Sequence, residues 1–176
     1  MDKNDTLEYF INNNVHNNFN KKTYIKVITD LNRSFTHMIV LFTDEVLKLP
    51  RFIQCCNIHG IFNTLQALNK LTSEMDNMTN KTNDIIKQIY ILEYIKLKQT
   101  IQTNMLPIFK NSYKMFVGII NNYNIQIRSR ILNYLDKEGY DIELSEKKYN
   151  SDMDGLNNRL VGIHNKLIEC MNIKQS

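Results

Sequence analysis

Apolar residues recur at steps of three and four over several long, nearly uninterrupted stretches of this chain. Tyr24, Ile28, Leu31, Phe35, Met38 and Phe42 form one such series, and Phe109, Tyr113, Phe116, Ile120, Tyr123, Ile127, Ile131 and Tyr134 nearly repeat it. Met153, Leu156, Leu160, Ile163 and Leu167 form a third. Steps of three and four place side chains on one stripe of an α-helix, and a stripe that stays straight for five or so turns needs a neighbouring helix to bury it. The pattern therefore predicts an all-α fold, a single-domain bundle of five or six mostly antiparallel helices. Signals for sheet are lacking: the β-branched residues sit at helical spacing, and no Asn-Gly or Asp-Gly turn joins two alternating runs.

Helix boundaries follow from caps and breakers. A short first helix is expected after Asp5 or Thr6, carrying Leu7, Phe10 and Ile11, before the Asn-rich stretch to Asn20 weakens it; residues 1–20 read as this short helix or as an N-terminal arm. A long helix is expected from Lys21 to Leu49, with Pro50 stopping it, because the residue before a proline is pushed out of the α region. The next is placed over about 51–71, with Thr72, Ser73 or Asn80 capping its successor. That successor, near 82–104, carries two stripes, one with Ile85, Ile89 and Leu92 and one with Tyr90, Tyr94, Leu97 and Ile101. Burial on two sides would make it the central helix. Pro107 suits the first turn of the following helix, which should end near Gly139. Residues 139–150 read as a loop, and Ser151 or Asp152 as the cap of a last helix reaching Met171. Without an internal repeat or a Pro- or Gly-rich linker, residues 1–176 read as one domain, long enough to bury a core without disulfides. Phe35, Phe116, Ile120 and Leu160, each in the middle of its stripe, are the expected core positions.

Composition bounds the setting. The apolar fraction of 43% and charged fraction of 23% exclude wholesale disorder. Abundant Asn, Ile and Lys, a single alanine (Ala67) and no tryptophan point to an AT-rich genome, such as those of many large DNA viruses and protozoan parasites. The chain shows neither a secretory signal nor a run of roughly eighteen apolar residues that would span a bilayer. Three cysteines, Cys55, Cys56 and Cys170, cannot all pair, which suits a reducing compartment, so a soluble, intracellular, cytoplasmic protein is expected, in the host cytoplasm if viral.

Catalytic chemistry is not legible. His16, His37, His59 and His164 are scattered, and no nucleophile elbow, Cys-His signature, glycine-rich phosphate loop or Glu-x-x-His pair occurs. Cys55 and His59 form an i, i+4 pair, but a structural zinc site needs a second pair that the chain does not supply, so these thiols read as structural. The sharpest anomaly is electrostatic: from Tyr94 to Leu135 there is no acidic residue, while Lys96, Lys98, Lys110, Lys114, Arg128 and Arg130 are all basic. These six are the candidate binding residues, with Lys110, Lys114, Asn121, Asn124 and Arg128 forming a polar stripe beside the apolar one. Such a stripe suits phosphates of nucleic acid, an anionic lipid surface or an acidic partner, although charge runs are usually solvated faces and the net charge of +4 is small.

The reading that follows is a non-enzymatic protein-protein interaction or scaffold module without metal or cofactor, its partner another protein or a second copy of itself. The alternatives are a nucleic-acid or anionic-surface binder acting through residues 96–130, and a virus-encoded modulator of host responses that offers a helical groove. A first prediction concerns the fold: far-ultraviolet circular dichroism should show a helical spectrum without a β component, and substantial β content would overturn the periodicity argument.

Overall fold

The computed structural model describes residues 21–172, which leaves the expected helix or arm of residues 1–20 outside the described residues. Helix α1 spans Lys21–Gln54, α2 Ile58–Ile86, α3 Ile91–Thr100, α4 Leu106–Lys137 and α5 Ile142–Cys170, and a π-helical turn, Ile101–Met105, joins α3 directly to α4. The described residues are thus an all-α bundle of four rods without a strand, the third rod being α3, the π turn and α4 together. Five or six helices overcounts the four because the expected breaks near 72–80 and between 104 and 107 are both helical, while the chain turns instead at 87–90.

Thr72, Thr79 and Thr82 are fully buried inside α2, and their hydroxyls donate to carbonyls of their own helix, Thr72 to Leu68 at 2.9 Å, Thr79 to Asp76 at 2.7 Å and Thr82 to Met78 at 2.8 Å. Satisfied in this way, a threonine packs as a small apolar residue instead of capping. The expected loop over 139–150 is helical from Ile142 onward, which lengthens the last helix. The Asp141 side chain accepts the Leu144 N–H at 3.0 Å and starts α5 at Ile142, so Tyr149 becomes a buried seam position one heptad before Leu156.

Pro50 does not stop α1, which runs on to Gln54. A proline inside a helix costs about 3 kcal/mol. Leu49 and Ile53 on either side are buried, and full burial of each stabilises the continued helix by roughly 1.5–3 kcal/mol. The helix then ends in a left-handed residue, Cys56 (φ 55°), with the Asn57 N–H bonded to the Phe52 carbonyl at 2.8 Å and the Cys56 N–H to that of Ile53 at 3.2 Å. The end of α4 repeats the geometry with Gly139 (φ 89°) in the left-handed position, which is where the apolar stripe was expected to finish. Between α1 and α2 the chain is drawn tight: the Asn57 side chain caps the Gly60 N–H at 2.9 Å, and a Cβ on Gly60 would lie 2.8 Å from the Phe52 ring.

Successive rods run in opposite directions, as expected, but succession in the chain is not adjacency in the bundle. α1 packs on α2 and α4, α5 packs on α2 and α4, and α1 and α5 occupy opposite corners. Cross-contacts give the directions. Asn104 bonds to Asn32, Phe35 meets Phe109 and Phe42 meets Phe116, so α1 and α4 are parallel. Arg159 reaches Asn69 and Thr72, and Lys166 reaches Asp76, so α2 and α5 are parallel. Two parallel and two antiparallel interfaces therefore close the ring.

The third rod needs the π turn to do this. Leu97 before the turn, Ile101 at its start and Phe109, Ser112 and Phe116 after it are all buried, although one residue too many separates the two series for an unbroken heptad. A π turn absorbs one extra residue, with the Leu106 N–H reaching back to the Ile101 carbonyl. Pro107, lacking an N–H, sits in the first turn of α4, its expected place.

Three of the four expected core residues, Phe35, Phe116 and Leu160, are buried. Ile120 is only half-buried, because asparagines (Asn121, Asn122, Asn124) flank the seam there and supply no apolar shielding. The two-sided burial expected of 82–104 is also corrected. Residues 87–90 are a turn, and although Ile89, Tyr94 and Leu97 are buried, Tyr90 and Leu92 are exposed, since a corner of a four-rod ring meets neighbours on one side only. Truncation at Phe35 or Phe109 to Ala should cost about 3–5 kcal/mol, and Ile120→Ala about 1–2 kcal/mol. Urea melts check the ranking, and Gly60→Ala should also lower the midpoint by forcing apart Phe52 and the Asn57 cap.

Candidate functional site

Where α2, α4 and α5 meet at the end of the bundle near the α4–α5 turn, the packing leaves an open cleft of about 580 Å³. Its floor is apolar: Ile131 and Leu156 are buried, and Phe62, Leu65, Leu135 and Met153 are half-buried around them. Its rim is polar, with Gln66 and Asn69 from α2 and Ser145, Lys148 and Asp152 from α5, and Tyr140 stands at the mouth. This volume and this mix of an apolar interior with a few polar groups are those of a binding pocket.

Neighbouring contacts hold the cleft open at a defined place. On one side Arg159 spans from α5 to α2, its guanidinium donating to the Asn69 carbonyl oxygen of the side chain and to Thr72 Oγ1 at 3.1 Å, and Lys166 meets Asp76 at 2.6 Å one helical stretch further on. On the other, the Tyr134 ring is met edge-on by His59 and Phe62, each at 5.7 Å between centroids. Between these two sets of contacts, side chains such as Ser145 are too short to fill the space.

Tyr149 is the one buried titratable group of the cleft. Its hydroxyl donates to Asn124 Oδ1 at 2.7 Å, and burial pushes its pKa up to about 12, against a smaller opposing pull from the Arg128 guanidinium. No histidine or cysteine lines the cleft, and among the described residues no three His, Cys, Asp or Glu side chains converge as metal ligands. Cys170 lies at the far end of the bundle from Cys55, Cys56 and His59, where its carbonyl accepts the Tyr94 hydroxyl at 2.9 Å. Its thiol is pushed up to about 11 by burial and then by Glu169.

The six basic residues do not form one stripe. Lys96 is exposed and Lys98 half-buried on α3, and the extra residue of the π turn rotates everything after it by about 100° relative to an unbroken helix. Lys110 and Lys114 are exposed on α4, in no ion pair among the described residues. Arg128 is engaged within the protein by Glu146 of α5, and Arg130 donates to Cys56 Sγ at 2.9 Å while its Nε is buried without a partner. None of the six lines the cleft. The residues that do were not singled out by sequence, although the polar interruptions Gln66 and Asn69 on one seam and Ser145 and Asp152 on another were its available signal.

The chain matches no protein-family profile, no curated protein and no solved structure. No helix among the described residues is long and apolar enough to cross a membrane.

The raised Tyr149 pKa carries a sign. With the folded value near 12 and the unfolded value near 10, the folded state holds a proton that the unfolded state has released between those limits. Stability from this group is therefore complete below pH 10 and falls as pH rises toward 12. Denaturant melts across that range should show a decline that is shallower in Tyr149→Phe.

Proposed function

We propose that the protein is a non-enzymatic interaction module that receives apolar side chains of another protein in the cleft between α2, α4 and α5. The observation that carries this reading is the apolar floor of the open cleft at one end of the bundle. Tyr140, which lines the cleft, and Ile142 and Leu144 soon after it in the chain are exposed apolar residues that a partner could cover. A buried apolar centre within a polar rim is the usual anatomy of a protein-binding site. The polar groups present orient a ligand, and none is arranged as a nucleophile with its base.

Reading α4 as a polyanion-binding stripe has less support, because Arg128 and Arg130 are engaged at the surface by groups of the protein itself, Glu146 and Cys56. Affinity capture with the immobilised full chain, with and without nuclease, tests the two against each other. Ser145→Trp or Gln66→Trp should fill the cleft and weaken capture at least tenfold, about 1.4 kcal/mol, without moving the thermal melt. The pair Lys110→Gln and Lys114→Gln should leave capture unchanged. Nuclease-sensitive capture, or full capture by both tryptophan variants, would overturn the reading.

A further inference from the structure

The start of α3, at the opposite end of the bundle from the cleft, carries an apolar face that the four rods do not bury. Tyr90, Ile91, Leu92 and Ile95 are 60%, 44%, 67% and 55% exposed. Tyr94 and Leu97 turn inward, so Ile91, Leu92 and Ile95 lie on the outer side of the helix. Helix α1 begins beside this face. Tyr24, in its first turn, meets the Tyr90 ring edge-on at 6.3 Å, and the Tyr24 hydroxyl donates to the Gln88 carbonyl at 2.9 Å. Asn20, the last residue before α1, is joined to the helix about 6 Å of helical rise below Tyr24, so the segment that precedes α1 starts its course at this face.

The sequence of that segment carries the stripe such a face needs. Leu7, Phe10, Ile11 and Val15 fall on one side of a helix capped by Thr6, and Asn17, Asn18 and Asn20 are residues that favour a turn before α1. Residues 7–16 as a helix and the ten residues of α3 both measure about 15 Å.

We propose that residues 1–20 of the same chain cover this face, with residues 7–16 lying as an amphipathic helix along the outer side of α3 after a reversal at 17–20. Because the segment is joined to α1 at the Tyr90 end, it runs antiparallel to α3, with Val15 on Ile91 and Leu92 and with Phe10 and Ile11 on Ile95. Charge agrees with that direction. The acidic first half of the segment, Asp2, Asp5 and Glu8 against Lys3, comes to exposed Lys96 and half-buried Lys98. Asp84 and Glu169, exposed carboxylates of the adjoining helix ends, stay at the end where residues 17–20 carry no charge. Covalent attachment selects this occupant over a second copy or a separate partner, since a tethered segment meets the face at an effective concentration on the order of millimolar. The inference does not depend on the cleft, which lies at the other end.

The chain has no tryptophan, so a single one introduced into the full chain reports on this face. The indole of Ile95→Trp should emit as a shielded group. Adding Phe10→Asp and Ile11→Asp should shift its emission to that of an exposed indole and raise quenching by acrylamide several-fold, with the helical melt of the bundle kept. Should the aspartates lower that melt, the reciprocal chain decides: Ile11→Trp should undergo the same red shift when Leu92→Asn and Ile95→Asn, both at exposed positions, are added. Ile125→Asn, on an 81% exposed residue of α4, should shift neither probe. Exposed emission from Ile95→Trp in the otherwise unaltered chain would overturn the proposal, and a shift seen only on adding anionic vesicles would give the face to a bilayer. Shielding that the aspartate pair leaves in place would also overturn it. So would shielding lost on dilution together with a dimer in light scattering, which would give the face to a second copy.

Discussion

The architecture depends on the aromatic seam between α1 and α4. Phe35 lies 6.5 Å from Phe109 and Phe42 lies 5.9 Å from Phe116, centroid to centroid, and all four rings are buried. Rings at this separation gain both apolar burial and quadrupolar attraction. The pairing of Phe35 with Phe109 and of Phe42 with Phe116 sets the two helices parallel and in one register. Small polar contacts agree with that register: Thr43 shares a hydrogen with Ser112 at 2.8 Å, and Asn104 bonds to Thr36 at 3.2 Å as well as to Asn32.

Making α1 and α4 parallel neighbours has consequences through the chain. α2 must descend beside α1, and the turn at 87–90 must carry the third rod to α1's other flank, so that α5 closes the ring against α2 and α4. The π turn reconciles two halves of the third rod whose apolar residues would otherwise face different ways. Two surface features follow from this arrangement. A corner position leaves the outer side of α3 uncovered, and the meeting of α2, α4 and α5 beyond the Arg159 contacts leaves the cleft. The cleft and the uncovered side of α3 lie at opposite ends of the bundle.

Much of the fold was legible in the residues themselves. The stripe from Tyr24 to Phe42 is buried at each of its six positions, as is the stretch from Leu156 to Leu167, and Gly139 ends its helix as its lack of a Cβ allows. The errors share a cause, which is that local signals were outweighed by burial from a distance. Pro50 and Thr72 are a breaker and a capping residue by local rules, yet the seam positions around them are covered by other rods, and that coverage outweighs the local preference.

The amino-acid sequence by itself determined that this protein is helical, which faces of α1 and α5 are apolar, and where the chain turns at Gly139, because period, burial and backbone sterics act within a few residues of one another. Only the tertiary structure decided which rods are neighbours, that Arg128 and Arg130 are drawn into contacts with Glu146 and Cys56, and that Tyr90 and Leu92 stay exposed. Those outcomes depend on residues dozens of positions apart in the chain, and a stripe of apolar side chains states that a partner is needed without stating which helix will supply it.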